Sequence, residues 1–152
     1  MDSGTTDYMA QALIQAYHAL KKDEVPVGAV IVDRQTSHIV AQAHNLVETN
    51  RDPTAHAEIL VIQQACSALN TVRLPQCDLY VTLEPCAMCA TAISHARIQN
   101  LYFGAYDPKG GGVDHGARIF DHSTCHHKPN VYGGIQEQNC AQILKGFFQS
   151  KR

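Results

Sequence analysis

At 152 residues, with 45% apolar and 17% charged side chains, the sequence is long enough to form one domain that buries a core without disulfides. No apolar run approaches the roughly 18 residues a membrane-spanning helix needs, and the start, Met1 to Thr6, lacks a secretory signal pattern. The net charge of −2 runs against the basic excess usual in nucleic-acid binders, so any RNA contact must use a local patch.

The elements follow in chain order. From Asp7 to Lys22 the residues Met9, Leu13, Tyr17 and Leu20 recur at helical spacing, with Thr5 or Thr6 available as a cap. Gly28 to Asp33 is a β-branched run, Arg34 to Ser37 a turn, and His38 to His44 the strand that pairs back as a hairpin. Asn45 to Thr54 is a polar loop. Pro53 disfavours helix at Asp52, and Thr54 can cap a helix over Ala55 to about Leu69, with Ile59, Ile62, Cys66 and Leu69 as its buried stripe. Asp78 to Leu83 reads as a strand ended by Pro85, followed by a small-residue helix from Cys86 to about Ala96 and a strand from Asn100 to Gly104. The stretch from Ala105 to Gly134 is Gly-rich and polar, a functional loop rather than a second domain. The last helix carries Cys140, Ile143, Leu144, Phe147 and Phe148 on one side. Alternating strands and helices predict an α/β layered sheet in a single domain over 1–152.

Of six cysteines, only Cys86 and Cys89 stand at a metal-like spacing, while Cys66, Cys77, Cys125 and Cys140 are scattered. That usage predicts a reduced, cytoplasmic enzyme. Three apart at a helix start, Cys86 and Cys89 share one face, where free N–H groups and the helix dipole favour thiolates. His56 adds a neutral nitrogen. Together they predict a Zn2+ site with three protein ligands and a fourth position open to water, the arrangement of a catalytic zinc. Glu58 is two residues from His56, about 200° around an ideal helix, so spacing does not favour both on one ion and permits Glu58 to act beside the metal-bound water as a proton carrier. The alternative is a structural zinc knuckle, whose fourth ligand would come from His115, His122, Cys125, His126 or His127.

The pair His56-Ala57-Glu58 and Pro85-Cys86-Ala87-Met88-Cys89 resembles the signature of the zinc-dependent cytidine and deoxycytidylate deaminase superfamily. The stretches Pro26 to Val30, Asp52 to Glu58, Thr82 to Cys89, Phe103 to Lys109 and the tail Phe147-Phe148 narrow the resemblance to its bacterial transfer-RNA adenosine deaminases, over about Tyr8 to Arg152. The resemblance implies a three-layer α/β/α fold around a five-stranded mixed sheet. It also implies one zinc per subunit on His56, Cys86 and Cys89, with Glu58 as the catalytic proton shuttle. The implied activity is hydrolytic deamination of adenosine to inosine at the wobble position of an arginine-accepting tRNA. Asn45 matches a residue that contacts the flipped nucleotide, Asp107 and Lys109 match a loop lining the RNA channel, and Phe148, Lys151 and Arg152 match a tail near the anticodon stem-loop. A homodimer with sites built from both subunits is implied as well.

Two departures from the family pattern stand out: Gly110-Gly111-Gly112-Val113-Asp114-His115 replaces small residues and a serine, and the tail carries little basic extension. Taken alone, Asn45 would be a loop residue bonding its own backbone, Asp107 and Lys109 solvated charges, and Phe147 and Phe148 core side chains. Adjacent residues cannot share one helix face, so one of the two phenylalanines is expected in the core and the other at the surface, and the resemblance implies that Phe148 is the exposed one. A free-base deaminase acting on guanine or cytosine shares both zinc motifs and remains the alternative, with a non-catalytic zinc-stabilised RNA-binding module behind it.

Overall fold

The computed structural model describes residues 7–151. Helix α1 spans Tyr8–Lys21 and is capped by Asp7, whose carboxylate accepts from the Ala10 amide at 3.0 Å. The threonines expected as caps, Thr5 and Thr6, lie outside the described residues. The buried line of α1 is Met9, Ala12, Leu13, Ala16 and Ala19, whereas Tyr17, expected in the stripe, is 53% exposed. Small residues set this face. A side chain on Gly28 would place its Cβ 2.0 Å from the Ala12 carbonyl oxygen, so helix and strand meet backbone to backbone.

Strands β1 (Gly28–Asp33) and β2 (His38–His44) form the expected antiparallel hairpin, with a register shift between Ile31 and Val32. The polar loop that follows contains a short helix, α2 (Val47–Asn50). Helix α3 (Ala57–Leu69) starts two residues later than expected. Thr54 does not cap it, because its hydroxyl and amide both bond the Asp52 carboxylate, at 2.7 and 2.8 Å. The fully buried residues of α3 are Ala57, Glu58, Val61 and Ala65, while the expected Ile62, Cys66 and Leu69 are only half-buried beside them. The helix is rotated to carry a carboxylate inward, which no hydrophobic pattern reports.

Strand β3 (Cys77–Leu83), helix α4 (Ala87–Ala96) and strand β4 (Asn100–Ala105) form a parallel β-α-β unit. The long stretch expected as loop holds a 3-10 turn (Ile119–Asp121) and strand β5 (Asn130–Tyr132), too short to show a period. Helix α5 (Glu137–Ser150) closes the chain. The sheet order is β2-β1-β3-β4-β5, antiparallel across β1 and parallel from β3 to β5, so the five-stranded mixed sheet is as expected.

Helices α1 and α5 pack on one face of the sheet, where a Cβ on Gly104 would collide with Cys140 of α5 at 2.7 Å or less. Helices α3 and α4 pack together on the other, giving three layers. Phe103, Ile31, Leu79, Leu101, Ile93 and Ile98 fill the core. No helix among the described residues is long and apolar enough to cross a membrane. The carboxyl end of β3 delivers Cys86 to the start of α4, and the end of β2 delivers Asn45 to the same end of the sheet. In an open α/β sheet that edge is where ligands bind.

Candidate active site and metal centre

His56 and Cys86 are the N-cap residues of α3 and α4, and neither side chain is spent on a capping hydrogen bond. Both helices therefore aim free N–H groups and the positive ends of their dipoles at one point. There His56 Nδ1 lies 3.6 Å from Cys86 Sγ and 3.4 Å from Cys89 Sγ, and the three ligand atoms all fall within 4.8 Å of one another. Tetrahedral zinc, with nitrogen at about 2.0 Å and sulfur at about 2.3 Å, would put such pairs about 3.5 Å apart. The donor set fits zinc in type and spacing.

The three groups also share charge. A hydrogen bond from Cys89 pulls the Cys86 thiol down to about 4 against the effect of burial, and His56 adds to the pull. The same Cys86–Cys89 bond, with burial, pushes Cys89 up, and His56 is raised chiefly by its bond to Cys86. The loop considered as a source of a fourth ligand is engaged elsewhere. His115 bonds the Glu84 carboxylate at 2.8 Å, His122 the Ala117 carbonyl at 2.6 Å and His127 the Ile98 carbonyl at 2.6 Å. Among the described residues, the cluster of potential metal ligands is His56, Cys86 and Cys89 alone.

Glu58 stands beside this cluster, 4% exposed. Burial pushes its carboxyl up to about 7, and the Cys86 thiolate adds to the rise, while a backbone hydrogen bond and His56 oppose it. The helical offset of two residues does not separate Glu58 from His56, because His56 precedes the helix in extended conformation, with ψ 151°. A cleft of about 660 Å³ opens over the site, and Asn45, Glu58, Cys86, Asp107, Phe148 and Lys151 are among its lining residues.

The chain matches the MafB19-like deaminase model over residues 3–152. It is 54% identical to a tRNA-specific adenosine deaminase of Agrobacterium fabrum, over 97% of this chain and 95% of that protein. The chain belongs to the tRNA-specific adenosine deaminases, within the MafB19-like deaminase family. The Bacillus subtilis relative of the same description is 45% identical over 95% of this chain and 89% of its own length. A solved structure from work on A-to-I editing by tRNA:A34 deaminases at the wobble position superposes with a TM-score of 0.88 at 54% identity, covering 92% of this chain and all of that one. A guanine deaminase of Bacillus subtilis matches less of the deaminase, 65% of this chain and 62% of that one, at 38% identity and a TM-score of 0.61.

The outer residues of the deaminase cleft divide. Asn45 is buried, its amide donating to the Val25 carbonyl and its oxygen accepting from the Val47 amide, both at 3.3 Å. Asp107 lines the cleft, but its carboxylate also accepts from the amides of Lys109 and Gly110, at 3.3 and 2.9 Å, so it braces its own turn. Lys109 is exposed and stands outside the cleft lining. Phe148 is 50% exposed at the rim, edge-on to the buried Phe147 at 5.3 Å. Lys151 pairs with Asp23 on the rim, so part of its charge is already compensated, and Arg152 lies outside the described residues.

Two cleft residues went unread in the sequence. Glu24 is buried and accepts from the Glu48 amide at 3.1 Å and from the Thr49 amide and hydroxyl at 2.6 Å, fixing the α2 turn. Glu84 accepts from the amides of Asp107, Asp114 and His115 and so holds the loop that carries them. A glutamate directly before the Pro85-Cys86 ligand motif was the available signal for the second. For Glu24 there was none.

Proposed function

We propose that this chain, as a single deaminase domain over 1–152, hydrolytically deaminates adenosine to inosine at the wobble position of an arginine-accepting transfer RNA. The observation that carries the reading is Glu58, a buried carboxylate beside a His-Cys-Cys zinc-type cluster at the floor of an open cleft. The identity of 54% to a tRNA-specific adenosine deaminase over nearly the whole chain supports the choice of substrate.

His56, Cys86 and Cys89 are the residues that would hold the ion, one per chain. When bound, zinc supplies the acidification of water that hydrolysis near neutral pH requires. Glu58 takes one proton of the attacking water and passes it to the adenine ring nitrogen, then takes the second from the hydroxyl now on C6 and delivers it to the amine, which leaves as ammonia as the carbonyl forms. Its raised pKa suits a group that must both accept and release a proton near neutrality. Asn45, fixed by two backbone contacts, presents its remaining hydrogen-bonding capacity to the flipped nucleotide. Phe148 offers its exposed ring to a neighbouring base. Asp107 shapes the loop on the RNA side, and Lys109, outside the cleft, meets phosphate rather than the flipped base. The enzyme works as a homodimer in the cytoplasm, where its RNA substrate resides.

The direct test incubates the zinc-loaded protein with an anticodon stem-loop and, separately, with free guanine and cytosine. Inosine and ammonia from the stem-loop alone are expected. Efficient turnover of a free base, with none of the stem-loop, would overturn the substrate assignment.

A further inference from the structure

The Glu84 side chain has no exposed surface, and it has no lysine or arginine partner among the described residues. Its carboxylate is satisfied instead by donors from one loop. Oε1 accepts from the Asp107 amide at 3.0 Å and from the His115 ring Nδ1 at 2.8 Å. Oε2 accepts from the amides of Val113, Asp114 and His115, at 3.2, 2.9 and 3.0 Å. Burying a carboxylate costs several kcal/mol unless it is fully hydrogen-bonded, by the usual order of magnitude. Here the sheet and helices contribute none of these donors, so the carboxylate stabilises one conformation of the 107–115 loop. The fit leaves no room for adjustment, since a Cβ on Gly111 would fall 2.4 Å from Glu84 Oε2. The loop also rests on the metal-ligand turn, with the Gly112 amide donating to the Pro85 carbonyl at 2.7 Å.

We infer that Glu84 and His115 form a clamp that positions the 107–115 loop on the cleft wall, and that both are positioning residues for the RNA reaction. This rests on the function proposed above, because Asp107 and Gly110 of the same loop line the cleft. His115 is the one side chain among the donors. It occupies the run Gly110 to His115, where this chain departs from the family pattern, and its ring is about a third exposed, within reach of solvent. A clamp of this kind lowers the ordering cost of binding, so loosening it weakens substrate binding more than it slows the chemical step.

The test compares His115→Ala, His115→Asn and Glu84→Gln with the zinc-loaded parent on an anticodon stem-loop. His115→Ala is expected to raise KM about tenfold with kcat within about twofold and zinc still one per chain. His115→Asn, which keeps a side-chain donor, is expected to recover much of that loss. An unchanged KM, or a parallel loss of kcat and zinc, overturns the inference. Hydrogen exchange at the Val113 and Asp114 amides reads the clamp independently of substrate. Faster exchange there in Glu84→Gln, with β3 unchanged, supports the clamp even if the stem-loop is not turned over, an outcome that would fail only the proposed function. Unchanged exchange in both the Glu84 and His115 variants overturns it.

Discussion

His56 Nδ1 and Cys89 Sγ lie 3.4 Å apart although 33 residues separate them in the chain. The contact joins the starts of α3 and α4, so a metal held there would link the two helices. His56→Ala, Cys86→Ala and Cys89→Ala are each expected to lose most of the bound zinc, measured as metal per chain after dialysis. Alanine at Cys66, Cys77, Cys125 or Cys140 should leave it in place. Full retention in all three ligand variants would remove the zinc assignment.

Glu58 is expected to separate from the ligands in the same assay. Glu58→Ala should keep its zinc and its fold and lose activity by roughly a hundredfold to ten-thousandfold, the usual range for a general acid–base group. Loss of metal would make Glu58 a ligand instead, and normal turnover would remove it from the mechanism.

The adjacent phenylalanines of α5 should behave oppositely. Phe147 is 8% exposed, and Phe147→Ala is expected to cost about 3–5 kcal/mol of stability in urea unfolding. Phe148 is half-exposed, so Phe148→Ala should leave stability within about 0.5 kcal/mol. Stacking of an aromatic ring on a base is worth about 1–3 kcal/mol, so the role proposed for Phe148 predicts a loss of roughly tenfold or more in RNA deamination. Equal behaviour of the two variants in both assays would contradict the division of the helix into core and RNA faces.

Stability should depend on acid through Glu24. Burial would raise its carboxyl, but the Thr49 hydroxyl and the Thr49 and Glu48 amides outweigh that and hold it below its ordinary value of 4.5. A carboxyl lowered on folding stabilises the protein above 4.5, and that contribution is lost as pH falls through the folded value. Glu24→Gln is therefore expected to be less stable by about 1–3 kcal/mol at neutral pH. The gap to the parent should narrow in urea unfolding curves taken from about pH 7 to about pH 3.5. A gap independent of pH would show that the carboxylate's charge plays no part.

What the sequence determined by itself was local. Strand bounds at Gly28–Asp33 and His38–His44 follow from β-branched runs on either side of a four-residue turn. Cys86 and Cys89 share a helix face because three residues make nearly one turn, and His56 was legible only because its partner Glu58 follows it in a known pattern. The tertiary structure decided the rest. It turned Glu58 rather than Ile59 into the core, and it moved the buried line of α1 onto alanines that let Gly28 approach. It also placed β5 beside β4 through a strand three residues long. Glu24 carries no periodic or motif signal, and the place of Glu84 directly before Pro85-Cys86 marks the residue but not what it holds, because the partners of both lie 23 to 31 residues away. A buried carboxylate is recognised by the amides that fold around it, and those meet it only when the chain has closed.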